Sequence, residues 1–205
     1  AVVGLVAIIG GVAAGSVFAQ AGRGAAPAPA ARAAGAAPEL RQVLYDAADV
    51  IGMLRTPEEV DRLASMNYWA TGTMVSGGRP CKVVDYKASV NWLLNGMRID
   101  YTCEGSPQRH VEVVKDGLAW NEAEPGKGAS AAPAGAAAER ALWLWTLPAG
   151  AIKAANRAGA AAKVAVQNGK VTLSFPLSAP TATMTVTFTK DSFIEQVETR
   201  VGAVT

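Results

Sequence analysis

Two-residue alternation of apolar and polar side chains runs through most of the chain after Tyr68. It is most regular over 182–189, where Met184, Val186 and Phe188 alternate with threonines. Dipeptides that favour tight hairpin turns separate alternating segments at Asn95-Gly96, Asp116-Gly117 and Asn168-Gly169. The alternation predicts strands over 68–75, 82–92, 97–104, 109–115, 118–121, 163–167, 170–175, 182–189 and 193–201. Because hairpins join these strands, the chain is expected to form an antiparallel meander.

Helical periodicity replaces the alternation elsewhere. Over 38–55 the apolar residues that recur at helical spacing on one face are Leu40, Val43, Leu44, Ala47, Ile51 and Leu54. Thr56-Pro57-Glu58-Glu59 has the pattern of a capping box, so a short second helix is expected there. Further helices are predicted over 136–147 and 149–158, because Pro148 interrupts the apolar run and Gly159 ends it.

These elements predict an α+β fold. Its sheet has one apolar face, to which the pattern assigns Val84, Tyr86, Ala88, Val90, Trp92, Ile99, Tyr101 and Cys103. An antiparallel sheet with one apolar face needs a cover, and the helices at 38–55 and 136–158 can supply it. We therefore expect a curved antiparallel sheet, an incomplete β-barrel, with helices covering its concave face.

The N-terminal segment 1–19 carries no charge and closes on the small residues Val17 and Ala19. This pattern is typical of a secretory signal peptide. The alternative is a membrane anchor, which the glycines at 4, 10, 11 and 15 disfavour because they dilute the hydrophobicity. The signal predicts that the mature chain is periplasmic or secreted and keeps no stable membrane span.

The remaining chain divides into a linker and one domain. Residues 20–37 are rich in Ala, Pro and Gly, a composition with nothing large to bury, so they are expected to form a disordered linker. Residues 38–205 are enough for a single α+β domain. Its last predicted strand ends four residues before Thr205, which suggests a domain truncated at its C-terminus, within a longer protein.

Composition excludes several classes of function. The net charge is only +2, from 19 basic and 17 acidic residues with no basic run, so no nucleic-acid partner is expected. The chain has one histidine and two cysteines, too few for a zinc site, so no metal or cofactor is expected. The strand pattern places His110 and Glu112 on a solvent face, and Glu122 and Glu124 in a solvated loop. We expect no catalytic residues, since no nucleophile motif is present and only a pairing of His110 with Ser89 or Ser106 in space would supply a base.

The two cysteines, Cys81 and Cys103, are expected to form a disulfide in an oxidising compartment. A two-residue turn at Asn95-Gly96 would place Cys103 opposite Ala88, so the bridge requires a bulge or a longer loop. Two buried thiols are the alternative.

Large aromatic side chains are the remaining candidates for a binding surface. On a concave sheet they can line a groove for an apolar ligand or dock a partner. The alternative is that they form ordinary core beneath the helices. The candidate residues are Trp69, Trp92, Trp120, Trp143 and Trp145.

Several segments resemble the N-terminal region of exported bacterial proteins of the metallo-β-lactamase-fold hydrolase type: 68–73, 86–91, 96–100, 111–114, 119–122 and 142–145. In that family an α+β domain precedes a zinc hydrolase module. The H-x-H-x-D-H run of the module is absent from this chain, so no zinc ligand can be assigned here. At the level of fold, the expected half-barrel is also similar to the lipoprotein carriers of the bacterial envelope, which bind acyl chains in their concavity.

The sequence thus favours a non-catalytic exported domain that binds an apolar ligand or docks a partner through a Trp-rich concave face. The alternative, implied by the resemblance, is the accessory N-terminal domain of a secreted metallo-β-lactamase-fold hydrolase. Its partner would then be a C-terminal hydrolase module.

Overall fold

A computed structural model describes residues 3–5, 38–53, 55–76, 78–178 and 181–201 of the chain. The predicted linker and most of the predicted signal segment lie outside these ranges. In the part described, no helix is long and apolar enough to span a bilayer.

The helices are α1 (Leu40–Val50), α2 (Pro57–Arg62), α3 (Ala136–Thr146) and α4 (Pro148–Ala158), and a 3₁₀ helix (Gly159–Ala161) follows α4. The strands before α3 are β1 (Val3–Leu5), β2 (Ser65–Ser76), β3 (Arg79–Asn91), β4 (Gly96–Cys103), β5 (Arg109–Lys115), β6 (Leu118–Glu122) and β7 (Ser130–Ala131). Those after α4 are β8 (Lys163–Gln167), β9 (Lys170–Ser178), β10 (Thr181–Phe188) and β11 (Ile194–Val201).

The strands form two antiparallel sheets, where the sequence predicted one. The six-stranded sheet has the order β2-β3-β4-β5-β6-β7, and the five-stranded sheet has the order β1-β11-β10-β9-β8. The meander breaks between β7 and β8 because α3 and α4 separate these strands in the chain. The α+β class is correct, and the described strands do not close into a barrel.

Local signals in the sequence correctly predicted the helix start and the turns. Thr56 accepts a hydrogen bond from the backbone N–H of Glu59, and the Glu59 side chain accepts one from the Thr56 N–H, so α2 begins with a capping box. The hairpin residues Asn95, Asp116 and Asn168 adopt positive φ angles of 40°, 48° and 50°. Among residues other than glycine, Asn and Asp tolerate this left-handed conformation best, which is why the dipeptides predicted the turns.

Helices α3 and α4 organise the core. Helix α3 contacts β4, β5 and β6 in one sheet and β11 in the other, while α4 contacts β9, α1 and α2. We call the face of each sheet that packs on these helices its inner face. It carries buried Ile99 and Tyr101 in one sheet and Met184, Val186 and Phe188 in the other. Apolar side chains from both sheets and from the helices therefore share one core.

Helix α4 holds the short helix α2 with a buried cation. The Lys153 Nζ donates to the carbonyl oxygens of Val60 at 2.9 Å and Asp61 at 3.0 Å. It also lies 5.7 Å from the centroid of the Trp92 ring. Desolvation lowers the pKa of Lys153. The Asp61 carboxylate, 3.5 Å from the Nζ, and the carbonyl groups at the C-terminus of α2 supply the negative charge that makes this burial tolerable.

Cys81 and Cys103 form the predicted disulfide, with their Cα atoms 5.3 Å apart. Both geometric conditions for it are met. The β3–β4 turn holds four residues, since Asn91 pairs with Gly96, and a register shift follows between Val83 and Asp85. Ala88 consequently lies opposite Ile99, and Cys103 lies opposite Val83, next to Cys81 on the diagonal. The same shift leaves Val84 exposed, so its predicted place on the apolar face was wrong.

Candidate functional site

The five candidate tryptophans are divided between two faces of the molecule. Trp92 is buried, and its indole Nε1 donates to the Leu144 carbonyl oxygen at 3.3 Å. Trp143 and Trp145 are half-buried on α3 and pack against the core. The Arg157 guanidinium lies 5.2 Å from the Trp145 ring centroid. These three tryptophans belong to the helix side of the sheets.

Trp69 and Trp120 lie on the outer face of the six-stranded sheet. Trp69 is 68% exposed, and the Nζ of Lys87, its cross-strand partner, is 5.8 Å from the ring centroid. Trp120 lies opposite Val113, and its Nε1 donates to Glu122 at 2.9 Å. The structure therefore does not bring the five side chains together on one surface.

His110 lies on the inner face of β5, where the sequence predicted a solvent face. It pairs in register with Tyr101, and the two rings stack with centroids 4.8 Å apart. The prediction was wrong because β5 is covered on both faces. Val111 and Val113, on its outer face beside Glu122 and Trp120 of β6, are buried as well. Alternation alone could not tell which of two covered faces meets the helices.

Glu112 anchors a largely buried polar network on the same inner face. The Tyr101 hydroxyl donates to one of its carboxylate oxygens at 2.9 Å, and an Arg140 nitrogen lies 3.1 Å from the other. The Ser76 hydroxyl completes the chain, 2.7 Å from the Tyr101 oxygen. Burial raises the pKa of the Tyr101 phenol, so it stays a neutral hydrogen-bond donor.

Arg140 ties this network to the edge of the sheet. Its guanidinium donates to the carbonyl oxygens of Val113 at 3.1 Å and Trp120 at 2.8 Å. It also donates to the Asn121 side-chain oxygen at 2.6 Å. A buried arginine on α3 thus finds acceptors on β5 and β6. No local pattern predicts this contact, because Arg140 and its acceptors lie between 19 and 27 positions apart along the chain.

Glu122 is buried as well, which contradicts its predicted place in a solvated loop. Its carboxylate accepts two hydrogen bonds from Arg98, one from Trp120 and one from the Gly126 N–H at 2.6 Å. Desolvation raises the pKa of Glu122, but these hydrogen bonds outweigh it, and the net pKa is lowered. Glu124 is exposed, as expected, and pairs with Lys127.

A cleft of about 300 Å³ opens beside this network, and we call it the rim cleft. Its lining is Gln108, Arg109, His110, Val111, Glu112, Asn121, Glu122, Ala123, Gly128 and Ser130. A second cleft, of about 130 Å³, lies between α1 and the turns of the five-stranded sheet. Tryptophan lines neither cleft.

The opposite end of the six-stranded sheet exposes leucine side chains. Leu93 is 70% exposed, Leu94 52% and Leu118 70%. Leu93 and Leu94 lie on the β3–β4 turn, and Leu118 begins β6 directly after the β5–β6 turn. The two turns are adjacent, since Gly96 pairs with Lys115 and the Asp116 N–H donates to the Asn95 carbonyl oxygen. We call this group of three residues the leucine end.

Within the described ranges no group of three or more His, Cys, Asp and Glu side chains could hold a metal ion. Comparison with known proteins adds no relative: no family model, curated protein or solved structure matches the chain significantly.

Proposed function

We propose that this chain is a non-catalytic docking domain that works outside the cytoplasm and contacts its partner through the leucine end. The observation that carries the proposal is the exposure of Leu93, Leu94 and Leu118 at two adjacent turns, with Leu118 directly after the second turn. Single exposed leucines are normal on protein surfaces, but neighbouring ones on one edge are typical of interaction sites. Burying each side chain against a partner contributes about 1.5–3 kcal/mol.

The core is filled by the chain's own side chains, and this favours a docking domain over a carrier that transports a lipid. On the inner faces, Leu144 of α3 and Ile152 of α4 are buried together with Phe175, Met184 and Tyr101. The concave face that a carrier would use for an acyl chain would thus be occupied by helices α3 and α4. A carrier would have to move these helices before an acyl chain could enter.

The disulfide supports the proposed location, because such bonds persist in oxidising compartments. The proposed partner is a folded protein module, such as the C-terminal hydrolase module that the sequence resemblance implies. Docking to such a module requires no metal or cofactor in this domain.

Site-specific photocrosslinking in the exporting cell tests the proposal. A photoreactive residue at Leu94 or Leu118 is expected to give a discrete crosslinked protein, which mass spectrometry identifies. Val166, on the edge strand β8 and similarly exposed, is the matched control position. Crosslinks from all three positions alike, or from none, would contradict docking through the leucine end.

A second candidate function is binding of an apolar ligand. It rests on Trp143 and Trp145 of α3, which are half-buried and pack against the core. If their rings line an entry, oleate is expected to shift the tryptophan emission saturably, and Trp145→Ala should weaken binding without unfolding the domain. If the rings are packed core, the substitution should cost about 3–5 kcal/mol of stability, and oleate should change nothing.

A further inference from the structure

The rim cleft lies where β5 and β6 separate, and it is independent of the proposed docking surface. The two strands pair as far as Val111 and Glu122. Beyond this pair β5 extends to Arg109, but the segment that follows β6 turns away from β5. It returns as β7 on the other side of β6, where Ser130 pairs with Asn121. The gap between them is the cleft of about 300 Å³, at the lower end of the volumes that hold small ligands.

Every charged side chain that lines the rim cleft has a partner of opposite charge within the protein. Arg109 pairs with Asp100, Glu112 with Arg140, and Glu122 with Arg98. A charged ligand would give up hydration without gaining a free counter-charge. The electrostatics of the cleft therefore favour an uncharged ligand.

The hydrogen-bonding groups that remain are amide, imidazole and hydroxyl. Among the described residues, the side chains of Gln108, His110 and Ser130 that line the cleft donate to no other protein group. Asn121 accepts from Arg140 through its oxygen, which leaves its amide N–H groups to donate. Each of these four side chains offers donor capacity, and most can also accept.

We propose that the rim cleft binds an uncharged sugar residue. Sugar hydroxyls donate and accept hydrogen bonds in the same way as the groups that line the cleft, and they carry no charge to desolvate. A site of this volume takes one ring rather than a long oligosaccharide.

The cleft is held in shape before a ligand arrives. The Tyr101 ring fixes His110 by stacking, and Arg140 fixes Asn121 by a 2.6 Å hydrogen bond. Gly128 and Ala123, which both line the cleft, approach each other closely: a Cβ added to Gly128 would lie 2.8 Å from the Ala123 Cβ. Gly128 also has a φ of +63°, which glycine adopts without strain. Such preorganisation lowers the entropic cost of binding.

The single histidine of the chain makes the test direct, because its imidazole signals in an NMR spectrum belong to His110 alone. Glucose and N-acetylglucosamine, titrated into the full chain, are the probes. We expect a saturable shift of the His110 resonances for at least one of them. Glucuronate and glucosamine, which carry a charge on the same ring, should bind at least about 5-fold more weakly. No shift with any sugar, or tighter binding of a charged one, would overturn the proposal.

Substitutions in the cleft separate binding from an indirect effect on the histidine. Ser130→Ala and Gln108→Ala should each weaken binding about 5-fold, which corresponds to one lost hydrogen bond. Gln167→Ala, at an exposed glutamine of the other sheet, is the matched control and should leave affinity unchanged. Equal affinity in all three variants would show that the sugar lies elsewhere, and the proposal would fail.

Discussion

The two ends of the six-stranded sheet differ in how their side chains are satisfied. At one end, which we call the polar end, the disulfide, the Glu112–Arg140 network and buried Glu122 lie together. At the leucine end, the same strands finish in short turns whose apolar side chains face solvent. Strands β4 and β5 run from one end to the other. One sheet thus concentrates its polar cross-links at one end and leaves the other end available for contact.

The difference has a physical origin. Buried polar groups are tolerated only when their hydrogen-bond partners are present. A substitution that removes one partner at the polar end should therefore lower stability substantially. Exposed leucines contribute little to folding, because their burial changes little when the chain folds. Four experiments can break or sharpen this contrast.

The largest effect is expected from Arg140→Met. The change removes the buried Arg140 guanidinium and leaves the largely buried Glu112 carboxylate without its cationic partner, which should lower the free energy of unfolding by about 3 kcal/mol. Urea denaturation measures it. Arg41→Met, at an exposed position of α1, is the control and should change stability by less than about 0.5 kcal/mol. Similar losses of unfolding free energy in both variants would show that the Glu112–Arg140 network does not stabilise the domain more than an exposed arginine does.

Removal of the disulfide should have the next largest effect. Cys81→Ala combined with Cys103→Ala opens a loop of 22 residues in sequence separation, worth roughly 3 kcal/mol of stability in the loop-entropy model. Hydrogen exchange should accelerate first in amides near Cys103 at the polar end, and later near Leu94.

The presence of the disulfide is tested separately on the unchanged protein. Thiol titration of the denatured, unreduced protein should find no free thiol, and two reactive thiols per chain would refute the bridge.

Acid should loosen the polar end before the leucine end. The pKa of Glu122 is lowered in the folded protein, so its contribution to stability is complete above the unfolded pKa and is lost as the pH falls through the folded value. This places the loss below about pH 4.5. Glu122→Gln should flatten the pH dependence of stability in that range. An unchanged acid transition in the variant would assign the effect to other carboxylates.

The smallest effect on stability is expected at the leucine end. Leu118→Ala should change the free energy of unfolding by less than about 0.5 kcal/mol, because the side chain is already exposed. Leu144→Ala, a buried leucine of α3, is the matched comparison and should cost about 2–5 kcal/mol. A large loss at Leu118 would mean that the leucine end stabilises the domain, so its exposure would no longer point to a partner.

Most of the secondary structure could be predicted from the sequence, and the candidate binding surfaces could not. The 109–115 strand, the capping box at Thr56 and the turns at Asn95, Asp116 and Asn168 are where local patterns placed them. His110 and Glu122 were misplaced because burial depends on what packs on a strand. Alternation identifies two faces but carries no information about which of them a distant helix or loop covers.

The sequence by itself determined the α+β class and the hairpin order, and it favoured the pairing of Cys81 with Cys103 over two free thiols. These follow from local backbone preferences and from the fact that the chain has only two cysteines. Only the tertiary structure decided that the strands form two sheets, that Arg140 reaches Glu112, and that the tryptophans lie on separate faces. Each of these depends on contacts between residues far apart in the chain. A single sequence records which side chains are apolar or charged, but the choice of partner is made when the helices pack against the sheets.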